Sequence, residues 1–259
     1  MQADRIRQRI DAGEVAYGII TGWADPDVVE AAGACGFDFV FIDAEHGALD
    51  IRTCGDLLRA ATCGGLTAII RVPYADSRGV YTYLDAGANG LIFPHIRGAA
   101  DARAAVNACL YPPAGLRGAL SSSRAARYGT AYSRPDEYYR AANDGMWVLP
   151  LIEDVEAVDA LDEILAVPGI RGFFIGPGDL GLSRIASGKT DGATVEVLLD
   201  RAIERGVRAK KVVGTVAGTP AAAAALVKKG VRMICAGATG LMVGAYRGFL
   251  QGVPRRAES

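Results

Sequence analysis

Short runs of apolar residues alternate with stretches of helical periodicity along the whole chain. Most of these runs are continuous, which is typical of parallel strands that are buried on both faces. They predict eight strands, over residues 16–20, 37–42, 67–71, 90–93, 147–152, 172–175, 211–214 and 233–234. Strands that alternate with helices indicate an α/β protein with a parallel sheet and right-handed crossovers.

The segments between the strands carry the spacing of amphipathic helices. After Asp50, a candidate N-cap, apolar residues recur on one helical face over residues 51–61, and the pattern repeats after Asp154. Eight such units in 259 residues favour a closed (β/α)8 TIM barrel, which takes about 250 residues, over an open doubly wound sheet. No Gly-x-Gly-x-x-Gly follows the first strand, which also disfavours the open sheet. We expect a single barrel domain over residues 1–259.

Residues 112–145 are the one long departure from this spacing, and they are rich in Arg, Ser, Tyr and Gly. We expect them to form an excursion on the βα side of the barrel, with a loop and a short helix. A linker between two domains is the alternative, and the continued strand–helix alternation on both sides of the segment disfavours it.

Composition and charge exclude several classes of protein. A hydrophobic content of 51% and a charged content of 22% are ordinary for a soluble protein with a sizeable core. A net charge of −1 gives no basic field for a nucleic acid. No run approaches the roughly 18 apolar residues of a membrane span, and no apolar segment of a signal peptide follows the N-terminal arginines. The five cysteines lack Cys-x-x-Cys spacing, so we expect reduced, mostly core thiols in a cytoplasmic protein.

Ionisable residues fall where the predicted strands end. Strand two is followed by Asp43, Glu45 and His46, and strand three ends at Arg71. Strands four, five and six are followed by His95, Glu153 and Asp179, respectively. In a barrel the carboxyl ends of all strands meet at one face, which carries the chemistry. Each residue by itself also fits a polar turn, a strand-end ion pair or a helix cap. Their convergence on one face favours a site.

The residue types indicate which chemistry this face can support. His46 near a carboxylate forms an acid–base pair, and Arg71 could hold a carboxylate or an enolate oxygen. Glu153 and Asp179, on adjacent strand ends, could coordinate a hard divalent ion and leave positions for water and substrate. The glycines of residues 176–178 would let backbone N–H groups approach an anion closely.

The sequence resembles the metal-dependent pyruvate aldolases of the 2,4-dihydroxyhept-2-ene-1,7-dioate aldolase (HpcH/HpaI) family, in the wider group that includes the citrate lyase β-subunit. The resemblance covers nearly the whole chain. It rests on ordered blocks at residues 37–46, 71–73, 84–88, 111–118, 126–129 and 165–180. So many blocks are specific for the family but not for the substrate.

The resemblance implies roles for individual residues. Glu153 and Asp179 bind Mg²⁺, Mn²⁺ or Co²⁺, which chelates the carboxylate and 2-oxo oxygens of pyruvate. Backbone groups from Pro177 to Asp179 help to hold that carboxylate. Arg71 stabilises the enolate oxygen, and His46, oriented by Asp43, takes part in proton transfer.

The resemblance also implies an assembly. Members of this family are typically hexamers in which the C-terminal helix is exchanged between neighbours, and Asp85 matches a residue near a neighbouring subunit's site. Two departures bear on specificity. Leu151 stands where many members carry Gln, and His95 occupies a strand-four end that is more often apolar in relatives. Both could reshape the preference for the acceptor aldehyde.

These features predict an enzyme, a class II aldolase that cleaves or forms 4-hydroxy-2-oxo acids to give pyruvate and an aldehyde. Cleavage requires deprotonation of the C4 hydroxyl and stabilisation of an enolate, for which a divalent ion serves as electron sink. A Schiff-base route has only Lys210 or Lys211 as candidates, and these resemble a solvated charge cluster. The alternative enzyme is a decarboxylase of oxaloacetate-like acids. A non-catalytic sensor or scaffold would be expected to have lost a ligand or a base, and this chain retains all of them.

Overall fold

The strands close into a parallel barrel. The computed structural model describes residues 4–73, 77–188 and 193–253, and in these residues the strands pair in chain order from β1 to β8, with β8 returning to β1. This confirms the predicted (β/α)8 architecture. The strands are β1 Ala16–Thr21, β2 Phe39–Asp43, β3 Thr67–Arg71, β4 Gly90–Phe93, β5 Trp147–Ile152, β6 Gly172–Ile175, β7 Val212–Val216 and β8 Met233–Gly237. Strands three to six have the predicted bounds, and the others differ by one to three residues at an end.

Helices cover the outside of the barrel. They are α1 Arg5–Asp11, α2 Pro26–Ala34, α3 Ile51–Cys63, α4 Ser77–Asp85, α5 Ala99–Cys109, α6 Pro135–Gly145, α7 Val155–Asp159, α8 Leu161–Ala166, α9 Pro177–Ser187, α10 Val195–Arg208, α11 Pro220–Lys228 and α12 Ala238–Gln251. The predicted cap is confirmed, because the Asp50 carboxylate accepts a hydrogen bond of 2.7 Å from the Thr53 N–H. The pattern after Asp154 forms two short helices, α7 and α8, which meet at Ala160.

The strands are buried on both faces, which explains their continuous apolar runs. In β2 the rings of Phe39 and Phe41 belong to the cluster inside the barrel. Val40 and Ile42, between and after them, belong to the larger cluster between strands and helices. Successive side chains of a strand point to opposite faces, so an apolar residue is needed at every position.

Large and small residues are matched inside the barrel. A Cβ atom on Gly18 would lie 2.5 Å from the Phe39 ring, so this position has to lack a side chain. Phe41 and Phe174 meet edge to face at 5.3 Å between ring centroids. Helix α1 closes the amino-terminal end of the barrel with the fully buried Ile6. The start of α1 is attached to β5, because the indole N–H of Trp147 donates a hydrogen bond of 2.9 Å to the carboxylate of Asp4, the N-cap of the helix.

The excursion at residues 112–145 lies on the opposite side of the barrel from the one predicted. It connects the end of α5 to the start of β5, so it belongs to the αβ connections at the amino-terminal ends of the strands. The prediction was wrong because the side depends on where α5 ends, which the residue pattern before the segment does not show. The segment contains a 3₁₀ turn at Arg127–Gly129 and helix α6. It is attached through Asn143, whose side-chain amide bonds to both backbone groups of Tyr111 at 2.7 and 2.9 Å.

The last helix leaves much of its apolar surface uncovered. On α12 the exposed fractions are 48% for Leu241, 61% for Tyr246 and 70% for Phe249, and only Ala238 is buried. Packing within the same barrel therefore leaves a large part of each of these side chains uncovered. No helix in the described part of the chain combines the length and the apolar character needed to cross a bilayer.

The cysteines follow the sequence expectation. Cys54, Cys109 and Cys235 are buried, whereas Cys35 and Cys63 are exposed, and all five are free thiols. Burial raises the pKa of the Cys54 thiol to about 11, with a smaller contribution from the charge of Asp50. A buried thiol with a raised pKa is inert, so the role of core filler fits.

Candidate active site

The carboxyl-terminal rim of the barrel collects the ionisable residues that the sequence indicated. β2 ends at Asp43, β3 at Arg71 and β5 one residue before Glu153. His95 follows β4, and Asp179 lies in the first turn of α9. Below the rim the strands are apolar and buried, so these side chains can reach water only at this end.

Arg71 forms the centre of a network with two carboxylates. Its Nε and Nη2 atoms donate to the two oxygens of Asp43 at 3.0 and 2.6 Å. Its Nη1 atom lies 3.1 Å from a carboxylate oxygen of Glu45. The Arg71 and Asp43 side chains are each 12% exposed, so this fork-to-carboxylate pair is largely shielded from solvent.

The network shifts the pKa values of both partners towards the charged forms. Burial by itself raises the pKa of Asp43, but the hydrogen bond and charge of Arg71, with the N–H groups of His46 and Glu45, lower it below its ordinary value. Burial by itself lowers the pKa of Arg71, but Asp43, Glu45 and Glu153 raise it above its ordinary value. Arg71 is therefore a fixed cation of the rim.

The structure places the ring of His46 beside Glu45. The Asp43 carboxylate is engaged by Arg71 and accepts the backbone N–H of His46 at 3.2 Å. The His46 Nε2 atom lies 3.9 Å from Glu45, and the ring is 65% exposed. The predicted pairing of Asp43 with His46 is thus made through the backbone, and Glu45 is the carboxylate beside the imidazole.

Glu45 is grouped with Asp43 and His46 in the sequence analysis but is given no role of its own there. Both histidines of the chain approach it, since the Nε2 atom of His95 also lies 3.9 Å from a Glu45 oxygen. The signal in the sequence was its position directly after β2. Nothing in the linear order indicated that it, and not Asp43, would face the imidazole rings.

Glu153 is a buried carboxylate with few partners. It is 2% exposed and accepts the backbone N–H of His95 at 2.9 Å. The Nδ1 atom of His95 lies 3.4 Å from the same oxygen, too long for a good hydrogen bond. His95 has a left-handed backbone with φ of 53°, which is uncommon for a residue other than glycine and orients its N–H group towards Glu153.

Burial is the main cause that raises the pKa of Glu153 above its ordinary value. The His95 N–H lowers the pKa, but the negative charges of Glu45 and Asp179 raise it further. The rim around Glu153 therefore has more negative charge than its fixed cations compensate.

This charge imbalance fits a bound cation. Carboxylate oxygens suit hard divalent ions, and Glu153 with Asp179 offers two such groups. Among the described residues, no three His, Cys, Asp or Glu side chains form a ready metal cage. A site of two protein carboxylates leaves coordination positions for water and substrate, as magnesium-type sites usually do.

Helix α9 begins at the rim and presents free backbone donors. Gly176 is its N-cap and Pro177 its first residue. The N–H groups of Gly178 and Asp179 lie in the first turn, where a helix has no internal acceptors. The partial positive charge of a helix N-terminus favours an anionic group at this position.

The remaining predicted residues fall in different places. Leu151 is 2% exposed inside the barrel, and its Cδ1 atom would contact a Cβ on Gly176, so it lies directly beneath the rim. Asp85 ends α4 at the amino-terminal side of the barrel and pairs with Arg117 at 3.0 Å, away from the rim of its own chain.

The lysines considered for a Schiff base lie at the wrong end of the barrel. Lys210 and Lys211 precede β7, so they stand at its amino-terminal side. The Lys211 ammonium donates to the Ile170 carbonyl at 2.6 Å, and burial lowers its pKa. A position opposite the rim does not suit a nucleophile for a substrate bound there.

Residues 18–244 of the chain match the family described as HpcH/HpaI aldolase/citrate lyase. The chain is 36% identical over 211 residues to a hydroxypyruvate/pyruvate aldolase of Agrobacterium fabrum, covering 82% of this chain and 78% of that protein. It is 34% identical over 232 residues to a 4-hydroxy-2-oxo-heptane-1,7-dioate aldolase of Salmonella typhimurium, covering 89% and 87%. The crystal structure of a family protein from Burkholderia cenocepacia aligns with a TM-score of 0.87 at 33% identity, covering 96% and 98%.

The environment of Glu153 predicts an unusual effect of removing its charge. A folded-state pKa above the ordinary value of 4.5 means that ionised Glu153 opposes folding at neutral pH. The carboxyl group's contribution to stability is fully present below that value and is lost as pH rises through the raised pKa. In EDTA we expect Glu153→Gln to melt at a higher temperature than the parent at pH 7, with a smaller difference at pH 5, by calorimetry.

Glu163→Gln, on an exposed position of α8, is the matched control and should show no such pH-dependent difference. A Glu153→Gln protein that is less stable than the parent by the same amount at both pH values would show that ionised Glu153 does not oppose folding.

Proposed function

The chain belongs to the HpcH/HpaI aldolase/citrate lyase family, and we propose on that premise that it is a metal-dependent pyruvate aldolase. The reaction is reversible cleavage of a 4-hydroxy-2-oxo acid between C3 and C4, which gives pyruvate and an aldehyde. The relatives named above are a hydroxypyruvate/pyruvate aldolase and an aldolase for a 4-hydroxy-2-oxo acid. We assign residues 1–259 to one barrel domain with its active site at the carboxyl-terminal rim.

One observation supports this proposal most strongly. The buried Glu153 carboxylate, at the rim beside the charge of Asp179, has a pKa raised by burial and by neighbouring negative charge. Arg71, a fixed cation of the rim, is paired with Asp43 and also interacts electrostatically with Glu153. A site with excess negative charge beside a fixed guanidinium suits binding of a cation together with an anionic substrate.

Glu153 and Asp179 would hold the divalent ion, which we expect to be Mg²⁺, Mn²⁺ or Co²⁺. When bound, such an ion supplies positive charge that stabilises the developing enolate of pyruvate and orients a 2-oxo acid. The N–H groups of Gly178 and Asp179, at the N-terminus of α9 after Pro177, would hold the substrate carboxylate.

Arg71 would stabilise negative charge on the 2-oxo oxygen. Asp43 fixes the guanidinium through two hydrogen bonds, so its remaining donor is preorganised. The Nη1 atom lies 3.1 Å from Glu45 at the rim, where it could also donate a hydrogen bond to an enolate oxygen. The chain thereby supplies a rigid cation with little reorganisation during the reaction.

His46 would move the proton of the C4 hydroxyl. Its ring is exposed at the rim, and its Nε2 atom can accept that proton in cleavage and return it in addition. Glu45, at 3.9 Å, would stabilise the imidazolium that forms. Asp43 contributes by fixing the backbone of His46 and the guanidinium of Arg71.

His95 and Leu151 are proposed to influence which aldehyde is accepted. The His95 ring is 62% exposed at the rim, next to Glu153, and could contact a polar acceptor. Leu151 gives an apolar floor beneath Gly176. We place the enzyme in the cytoplasm, where its five free cysteines stay reduced.

We predict that chelation with EDTA abolishes pyruvate release from 4-hydroxy-2-oxo acids and that Mg²⁺, Mn²⁺ or Co²⁺ restores it. Glu153→Gln and Asp179→Asn should each lower kcat/KM at least about 100-fold while keeping the fold, because metal charge stabilises the transition state by several kcal/mol. Glu163→Gln is the control for a carboxylate away from the rim. Full activity in EDTA after thorough dialysis, with borohydride trapping of a lysine adduct, would overturn the metal mechanism.

We predict that His46→Ala slows aldol cleavage by about 10²–10⁴-fold, the usual contribution of a general acid–base group. Decarboxylation of oxaloacetate should fall much less, since it has no hydroxyl proton to move. Both rates are measured on the same preparation by coupled assay of pyruvate. Equal losses in the two reactions would show that His46 binds substrate or supports structure.

We propose a homohexamer in which α12 packs against a neighbouring chain and is exchanged with it, and in which Asp85 approaches a neighbour's rim. The exposed Tyr246 and Phe249 support this assembly. Light scattering should give a mass near six chains, and Phe249→Ser with Tyr246→Ser should lower it. A monomeric parent at micromolar concentration would refute the assembly.

A further inference from the structure

A cavity lined by several arginines lies at the amino-terminal end of the barrel, opposite the rim. Its volume is about 640 Å³, within the range of ligand pockets. Asn89 and Met146, the residues before β4 and β5, form part of its wall. The rest comes from α1, the 112–145 segment, Thr62 of α3 and Gly87. Four arginines line it: Arg7, Arg117, Arg124 and Arg127.

Arg117 has unused hydrogen-bonding capacity in this wall. Its side chain is 2% exposed, with Nη2 bonded to Asp85 at 3.0 Å and the guanidinium 4.5 Å above the ring of Tyr111. In the part of the chain that the structure describes, its Nε atom is a buried side-chain nitrogen without a hydrogen-bond partner. Such groups are rare in folded proteins because an unpaired buried donor is costly.

The other arginines add positive charge that is only partly compensated. Burial and the charge of Arg59 lower the pKa of Arg124, which indicates crowding of cations. Arg124 donates to the Ala86 carbonyl and to Thr62, two neutral acceptors. Arg127 is exposed and, among the described residues, makes no side-chain hydrogen bond or ion pair.

The two acids of the cavity wall are already engaged. The Asp4 carboxylate caps α1 through the Arg7 N–H at 3.0 Å and accepts the Trp147 indole at 2.9 Å. The Asp144 carboxylate pairs with Arg171 at 3.1 Å. Asp85, which pairs with Arg117, adds a third carboxylate next to the wall. Four guanidinium groups against three carboxylates still leave the wall with net positive charge.

We propose that this cavity binds a small organic anion that carries at least two negative charges, as a phosphate group or as carboxylates. Arg117, Arg124 and Arg127 would hold the charged oxygens, as arginine does with its planar fork. Ala141, Ala142 and Met146 give the wall an apolar part for a carbon skeleton. This site goes beyond the proposed aldolase activity and shares no lining residue with the rim.

Titration calorimetry of the full-length protein with inorganic phosphate and, separately, with succinate tests the proposal, with NaCl used to hold the ionic strength constant. We expect saturable binding of at least one probe, and the tighter probe identifies the charged group. Arg127→Ala should weaken that binding about five- to tenfold, as expected for the loss of one charge-assisted hydrogen bond. This variant carries little risk to the fold because the side chain is exposed.

Arg103→Ala, on α5 outside the cavity wall, is the matched control and should bind the probe as the parent does. Saturable binding of neither probe would refute the site, as would equal affinity in Arg127→Ala and Arg103→Ala. Binding that survives Arg127→Ala but disappears in Arg71→Lys would place the anion at the rim and also refute it. None of these outcomes depends on aldolase activity.

Discussion

The structure depends on one constraint, that strands of a closed parallel barrel are buried on both faces. Val40 and Ile42 face the helices while Phe39 and Phe41 face the interior, so charge has no place along β2. A charged side chain can be hydrated only where a strand ends. Because parallel strands end together, this constraint gathers charges from distant parts of the chain at one rim.

The charges gathered at the rim are not all compensated to the same extent. Asp43 and Arg71 form a largely buried ion pair in which each residue stabilises the charged form of the other. Glu153 is more deeply buried, but its direct partners are the backbone N–H and ring of His95. Burial opposes the charged form at both places, but Arg71 offsets it at Asp43 and no comparable cation offsets it at Glu153. The geometry therefore supports a cation site at Glu153 and not at Asp43.

The two ends of the barrel carry opposite excess charge. The carboxyl-terminal rim has an acidic cluster around Glu45 and Glu153, whereas the amino-terminal cavity is lined by Arg117, Arg124 and Arg127. The barrel between them is filled with apolar side chains. The two proposed sites therefore use different charged groups and need not compete for a ligand.

The sequence by itself determined the architecture. Continuous apolar runs indicate strands that are buried on both faces, and the runs predicted the bounds of β3 to β6 correctly. The sequence also placed Asp43, Arg71 and Glu153 at strand ends, because that position is a property of the linear order.

Tertiary structure alone decided which of these groups meet. The partner of an imidazole depends on how Arg71 engages Asp43 across two strands, which left Glu45 beside His46. The side taken by residues 112–145, and the arginine cavity they help to form, depended on where α5 ends. Contacts between residues far apart in the chain are set by packing in three dimensions, and no local pattern of residues encodes them.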